Sequence, residues 1–182
     1  MKVSAVLIKY QRPKELKKII KHLKGYDFID EILIHDNTKT NIMCYGRYIT
    51  ANKARNETIY VQDDDCIIDV QKLYDKYNKT KLVNGMKKEA AFIYSGVDSL
   101  VGWGTFFEKS WIKVLDKYIN RFGEDHILIR ESDRIFTGLL ERETIVIDVE
   151  DFPSANAKYA MYKQPLHYDY KLKALERLRE IL

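Results

Sequence analysis

Asp63, Asp64 and Asp65 stand in a row behind the short run Ile59-Tyr-Val-Gln62, and Cys66-Ile-Ile68 follows them. The run is apolar, β-branched or aromatic, with neither Gly nor Pro, so it reads as a buried strand that delivers three acids to its end. Side chains alternate along an extended chain, which puts Asp63 and Asp65 on one side and turns Asp64 away. Two carboxylates held that close repel unless a cation lies between them. An all-oxygen donor set suits a hard divalent ion, Mg2+ or Mn2+, with water and substrate phosphates completing its shell. A solvated turn would also be rich in aspartate, but here apolar residues on both flanks hold the acids close to a core.

The elements around this loop alternate in type. Val3 to Lys9 reads as a first buried strand, and Gln11-Arg12-Pro13 breaks it. Pro13 suits the first turn of a helix to about Lys24, whose apolar face is Leu16, Ile19, Ile20 and Leu23 and whose stop is Gly25. Ile29 to His35 is a second strand ending at Asp36-Asn37; Tyr48 to Asn56 is a short helix, and Thr58 opens the third strand. Strand–helix–strand–helix–strand is the order of a parallel, Rossmann-like α/β sheet.

Further on, Asp69 to Lys79 has helical spacing, and Leu82 to Met86 and Ala90 to Tyr94 read as strands. Gly96 to Phe107 resists one assignment. Ser110 suits the N-cap of a helix ending near Phe122, before Gly123, and Ser132 that of a helix over Asp133 to Glu141. Thr144 to Val149 is a late strand, Asp151 to Pro165 is irregular, and Tyr170 to Leu182 is an amphipathic helix.

A chain of 182 residues, 46% hydrophobic and 32% charged, is expected to form one soluble domain. Its net charge of +4 is mild and its lysines are scattered among acids, so no nucleic-acid partner is expected. Cys44 and Cys66 lack metal-ligand spacing and suggest no disulfide framework. No apolar run approaches the roughly 18 residues of a membrane span, and the N-terminal one is short for a signal peptide. A cytoplasmic location follows as the expectation, with peripheral membrane association left open.

The pattern resembles the GT-A fold of nucleotide-sugar glycosyltransferases, above all exostosin-like and small viral or microbial relatives. Val6-Leu-Ile-Lys-Tyr-Gln-Arg-Pro13, His35-Asp-Asn37, Asn52-Lys-Ala-Arg-Asn56, Gln62-Asp-Asp-Asp65, Gly102-Trp-Gly-Thr-Phe-Phe107 and Glu131-Ser-Asp133 carry the resemblance, in the family's order. It implies a mostly parallel central sheet flanked by helices and a metal-dependent hexosyltransferase. The donor would be a nucleoside diphosphate sugar, UDP favoured over GDP, and the acceptor a hydroxyl on a glycan or glycoprotein. Residues 1–100 would bind the donor, and 101–182 would form the acceptor side.

Roles follow residue by residue. Lys9, Tyr10 and Arg12 border the nucleotide pocket, and Asp36 with Asn37 can accept from a base N–H or ribose hydroxyl. Lys53 and Arg55 would pair with the diphosphate. Asp63 and Asp64 belong to the nucleotide-sugar site, and Asp65 with Asp63 to the metal. His167 would be a further metal ligand, as late histidines are in several relatives. Trp103 offers an indole face to a sugar, and Gly104 gives the ligand room. Glu131 or Asp133 would act on the acceptor hydroxyl.

Two other classes remain. The Asp-x-Asp element also serves phosphoryl-transfer enzymes and nucleases, although dehalogenase-type phosphatases carry it after the first strand, and Glu31 and Glu57 are poor candidates for a nuclease's upstream acid. A non-catalytic carbohydrate-binding module would use the tyrosines and Trp103 as its platform.

Overall fold

The computed structural model describes residues 1–88 and 101–182. In chain order its elements are strand β1 (Val3–Lys9), helix α1 (Pro13–Leu23), β2 (Ile29–Asp36), α2 (Tyr45–Ala51), β3 (Thr58–Gln62), β4 (Cys66–Ile68), α3 (Val70–Lys76) and β5 (Leu82–Lys87). After residue 100 come β6 (Thr105–Glu108), α4 (Leu115–Phe122), α5 (His126–Gly138), β7 (Arg142–Ile147), β8 (Val149–Asp151) and α6 (His167–Ile181). The strand expected over Ala90 to Tyr94 lies outside the described residues.

Six strands form the central sheet in the order β2-β1-β3-β6-β5-β7. β1 runs parallel to β2 and β3, and β5 parallel to β7; β6 is antiparallel to both neighbours. A mostly parallel sheet is covered on both faces, so its central strands read as unbroken apolar runs. Alternation along β3 and β6 then feeds two cores. Ile59, Val61 and Phe107 join Tyr48, Phe136 and Leu178 beneath α2, α5 and α6. Tyr60 and Phe106 join Leu16, Ile19 and Leu73 beneath α1 and α3.

β4 and β8 make a separate antiparallel ribbon, with Cys66 opposite Asp151. Asp69 caps α3 by accepting from the Lys72 N–H, so that helix begins where its sequence suggested.

Several boundaries differ from expectation. α2 starts at Tyr45 because Tyr45 and Tyr48 are both buried in the core. The segment after Ser110 is first a 3-10 turn, Lys109–Val114, and becomes α-helical only at Leu115; it ends at Gly123, whose φ of 77° suits glycine. Ser132 is not an N-cap. α5 starts seven residues earlier, where the Asp125 side chain accepts from the Ile127 and Leu128 N–H groups. Ser132 is fully buried inside that helix, one residue beyond a kink at Glu131 (φ −117°, ψ 20°). α6 begins at His167, ahead of the expected Tyr170, and the irregular stretch before it holds two short 3-10 turns, Pro153–Asn156 and Met161–Lys163.

Phe107 is fully buried where β6 meets α2 and α5. Phe107→Ala is expected to cost about 3–5 kcal/mol of unfolding free energy in urea titrations. A loss under about 1 kcal/mol would mean that this interface is not packed as described.

Candidate active site

β1 and β3 both end at one cleft of about 520 Å3, a volume that suits a small ligand. The acidic loop forms its floor. β3 stops at Gln62, and the chain turns at Asp64 and Asp65 into β4. The period-two alternation therefore does not extend through the acids, and Asp64 does not face away. It is buried, its Oδ1 accepting from Arg12 Nη1 at 2.5 Å and its Oδ2 from the Tyr10 N–H at 3.4 Å. Arg12 Nη2 also lies 3.4 Å from Asp65 Oδ2.

One guanidinium does not offset this much buried acid. Burial pushes the Asp64 carboxyl up to about 6, even beside Arg12. Burial and the neighbouring Asp63 push Asp65 up to about 7, with Asp64 and Asp151 adding to the effect.

Asp63 is more open, with 45% of its side chain exposed, and is held from two sides. Its N–H donates to the Gly102 carbonyl at 2.9 Å. A Cβ on Gly102 would stand 2.0 Å from Asp63 Oδ2, so only glycine admits the carboxylate here. On the other side Arg47 Nη2 donates to Asp63 Oδ1 at 2.6 Å.

Arg47 is 3% exposed on α2, and its Nε lies 3.5 Å from Asp133 Oδ1 on α5. Asp133 also accepts from the Tyr48 hydroxyl at 2.8 Å. Burial raises the Asp133 carboxyl to about 6; Arg47 opposes the shift and Asp63 adds to it. Arg47 thus links the acidic loop to the acid of α5, and the sequence reading did not single it out. Its signal was faint: one arginine between Tyr45 and Tyr48 in a segment with little periodicity.

The β4–β8 ribbon brings Asp151 beside the acidic loop, where Lys87 donates to it and also lies 5.0 Å over the Trp103 ring. Trp103 lines the cleft. Gly104 does not; its φ of 89° turns the chain into β6, and it packs against Leu73 and Tyr60. The segment after β8 crosses one side of the cleft. There the Ser154 carbonyl accepts from Arg12 Nε and Nη2, and Tyr159 packs on the same guanidinium at 4.9 Å.

The remaining wall is α5 and the first turn of α6. Glu131 is buried at the α5 kink, accepts from Arg134 Nε at 3.2 Å, and has its carboxyl raised by burial. His167 Nδ1 lies 3.9 Å from Glu131 Oε1. Burial and the nearby Arg130, Arg134 and Lys171 lower the His167 pKa.

Other expected residues fall elsewhere. Lys9 and Asp36 pair with each other at 2.7 Å on the open rim and do not line the cleft. Asn37 lines it, but its amide is occupied in pinning the Ile42–Met43 backbone. Arg55 pairs with Asp30 at the opposite end of β3, and Lys53 is exposed and does not line the cleft. Both precede the strand, and a parallel strand carries its two ends to opposite edges of the sheet. Among the described residues no group of three His, Cys, Asp or Glu side chains is placed to hold a metal ion, so His167 does not join Asp63 and Asp65 here. Nor is any helix among them long and apolar enough to cross a membrane.

A mostly parallel sheet with one antiparallel strand and an acidic loop at the end of its third strand is a GT-A-like fold. The chain is similar to S. aureus TarS 1–349 in complex with UDP: TM-score 0.61, 11% identity, 100% of this chain and 65% of that one. It therefore spans less than two thirds of that structure. It is also similar to glucosyl-3-phosphoglycerate synthase from Mycobacterium tuberculosis in complex with Mn2+, UDP and glucosyl-3-phosphoglycerate (TM-score 0.54, 10% identity, 98% and 80% covered). A third is the inositol-1-phosphate CTP transferase from T. maritima (TM-score 0.53, 10% identity, 97% and 96% covered). At these identities the likeness is one of fold. The sequence matches no protein-family model and no curated protein.

Two expectations follow from the charges. Asp65 titrates higher in the folded chain than unfolded, so it costs nothing at low pH and lowers stability as pH rises toward about 7. Asp65→Asn should therefore melt above the wild type at pH 7.5 and level with it near pH 4; an equal gain at both would assign the effect to packing.

Arg47→Leu leaves Asp133 buried without its cation and should cost about 3–5 kcal/mol. Adding Asp133→Asn should recover part of that loss. Strict additivity of the two changes in urea titrations would mean that the pair is not coupled.

Proposed function

We propose that the chain is a metal-dependent glycosyltransferase that moves a hexose from a nucleoside diphosphate sugar, UDP favoured, to an acceptor hydroxyl. The observation that carries this reading is the acidic loop. Asp63 and Asp65 face a ligand-sized cleft, and burial together with the neighbouring Asp63, Asp64 and Asp151 raises the Asp65 carboxyl despite Arg12. Such a donor set fits a hard divalent cation, and Asp63 and Asp65 would hold Mg2+ or Mn2+. Held by Asp63 and Asp65, such an ion would supply Lewis-acid stabilisation of the departing diphosphate.

The chain's own groups do the rest. Arg47 and the Gly102 carbonyl fix Asp63, and Arg12 holds the Asp64 side of the loop. Trp103 presents its ring to the hexose. Asp133, with a carboxyl near 6, is ionised at neutral pH and basic enough to take the acceptor proton, while Glu131 positions the acceptor. Donor contacts then come from the first half of the chain together with Trp103, and acceptor contacts from α5 and α6. UDP is favoured because two structures of like fold carry it.

Nucleotidyl transfer is the second reading, supported by the fold match over nearly the whole of both chains to a CTP transferase. The products separate the two. UDP-sugars with Mn2+ should yield UDP, whereas nucleotidyl transfer would consume CTP and a sugar phosphate and release pyrophosphate.

Calorimetry with UDP should show binding with Mn2+ that weakens at least about tenfold in EDTA, since the diphosphate and the two aspartates otherwise repel. Asp65→Ala should lose that metal-dependent part and stay folded. Equal UDP affinity in EDTA would sink the metal bridge.

A further inference from the structure

Arg130 is unspent in the arrangement just described. Its guanidinium lies over the Tyr170 ring at 4.5 Å, and its Nε and Nη2 are buried without a hydrogen-bond acceptor. The nearby His167 Nδ1 is likewise buried without a hydrogen bond, 3.9 Å from Glu131 Oε1, a buried acceptor that is itself without one. Both residues line the cleft. Buried donors in folded chains are nearly always satisfied, so paired orphans at the wall of an open cleft mark a ligand's place.

Arg130 and Arg134 stand on either side of the α5 kink, Lys171 is one turn beyond His167 on α6, and all four line the cleft. On α6 the four-residue spacing puts both side chains on one helix face, and on α5 the shared lining of the cleft brings the two arginines to the same space. α6 starts there without a side-chain cap, and its N-terminus adds positive potential. Burial lowers the His167 pKa, and Arg130, Arg134 and Lys171 lower it further. Of the acids on this wall, Asp133 is taken up by Arg47 and Tyr48 and Glu131 Oε2 by Arg134, and the Arg130 Nε and Nη2 atoms have no acceptor.

We propose that the α5–α6 wall is a subsite for a phosphate monoester carried by the acceptor, held by Arg130 and Lys171 with His167 and Arg134 beside them. The claim rests on the transferase reading for the word acceptor. A planar guanidinium edge, an ammonium and an imidazole approaching from two helices match a tetrahedral anion with several oxygens better than a flat carboxylate. The acidic loop forms another part of the same cleft, so the acceptor's anion is drawn to α5–α6 and kept from the donor's cation site.

Calorimetry on the full chain saturated with UDP and Mg2+ tests this, with glucose 6-phosphate, inorganic phosphate and glucose as probes. Glucose 6-phosphate should bind at least as tightly as inorganic phosphate, and glucose should bind far more weakly than either. Arg130→Ala and Lys171→Ala should each weaken glucose 6-phosphate about tenfold or more, the scale of one charge-assisted hydrogen bond, with Arg130→Lys intermediate. UDP affinity should stay within about twofold in all three variants. Unchanged sugar-phosphate affinity in both alanine variants overturns the proposal. So does binding of inorganic phosphate alone, or direct competition between sugar phosphate and UDP, which would place the anion in the donor's own site. If the wild-type chain does not bind UDP, the transferase reading falls by itself. The same variants titrated without UDP then decide whether the anion site exists.

Discussion

The cleft depends on one buried cation. Arg47 is almost wholly enclosed, and a charge in that position persists only when opposite charges reach it. Asp63 comes from the end of β3 and Asp133 from beyond the kink of α5, and both converge on the same guanidinium. The arrangement fixes three elements relative to one another: α2 through Arg47 itself, the acidic loop through Asp63, and α5 through Asp133. It also explains why the Asp133 carboxyl titrates only near 6 despite deep burial, since Arg47 opposes the shift. Arg12 plays a parallel part at the other end of the loop, tying Asp64 to the backbone at Ser154.

The sheet makes these contacts possible by bringing distant segments to one edge. β6, antiparallel between β3 and β5, leads Gly102 and Trp103 in at the edge where β3 releases its acids. The Gly102 carbonyl then receives the Asp63 N–H, and the absent side chain leaves room for the Asp63 carboxylate. Pairing of β4 with β8 does the same for Asp151, which arrives beside Asp65 from late in the chain.

What could be read from the sequence was what depends on local pattern. β1 and β3 are unbroken apolar runs, α1 has Pro13 at its start and four apolar residues at helical spacing, and the aspartates follow a core strand directly. These features survive whatever the rest of the chain does. Choices among locally equal candidates went astray. Asp125 and Ser132 are both good caps, and only the burial of Ser132 decides between them. Gly102 and Gly104 flank the same tryptophan, and only the position of Asp63 shows which one faces the cleft. Asp64 was turned away by an alternation that ends with the strand. Arg47, Lys87, Asp151 and Arg130 were invisible for a deeper reason: each matters through a partner or ring brought to it by the fold, and a lone charged residue carries no periodic mark.

The charges of the finished cleft are sorted by origin. Acids gather on the loop between β3 and β4 and on β8, where carboxyls are pushed upward by burial and by one another. Bases gather on α5 and α6, where a histidine is pushed downward by burial and by its cationic neighbours. Burial is the largest cause of both shifts, and like-charged neighbours add to each, carboxylates on one wall and guanidinium and ammonium groups on the other. A single compact ligand of one sign would satisfy one wall and aggravate the other. Two ligands, or one with charge at both ends, satisfy both: cation and diphosphate at the acidic loop, and an anion at the helices. Arg47 and Asp133 lie between, one bound to the acidic loop and the other on the helix that carries the bases. A proton acceptor is best placed there, between a donor held by one wall and an acceptor held by the other.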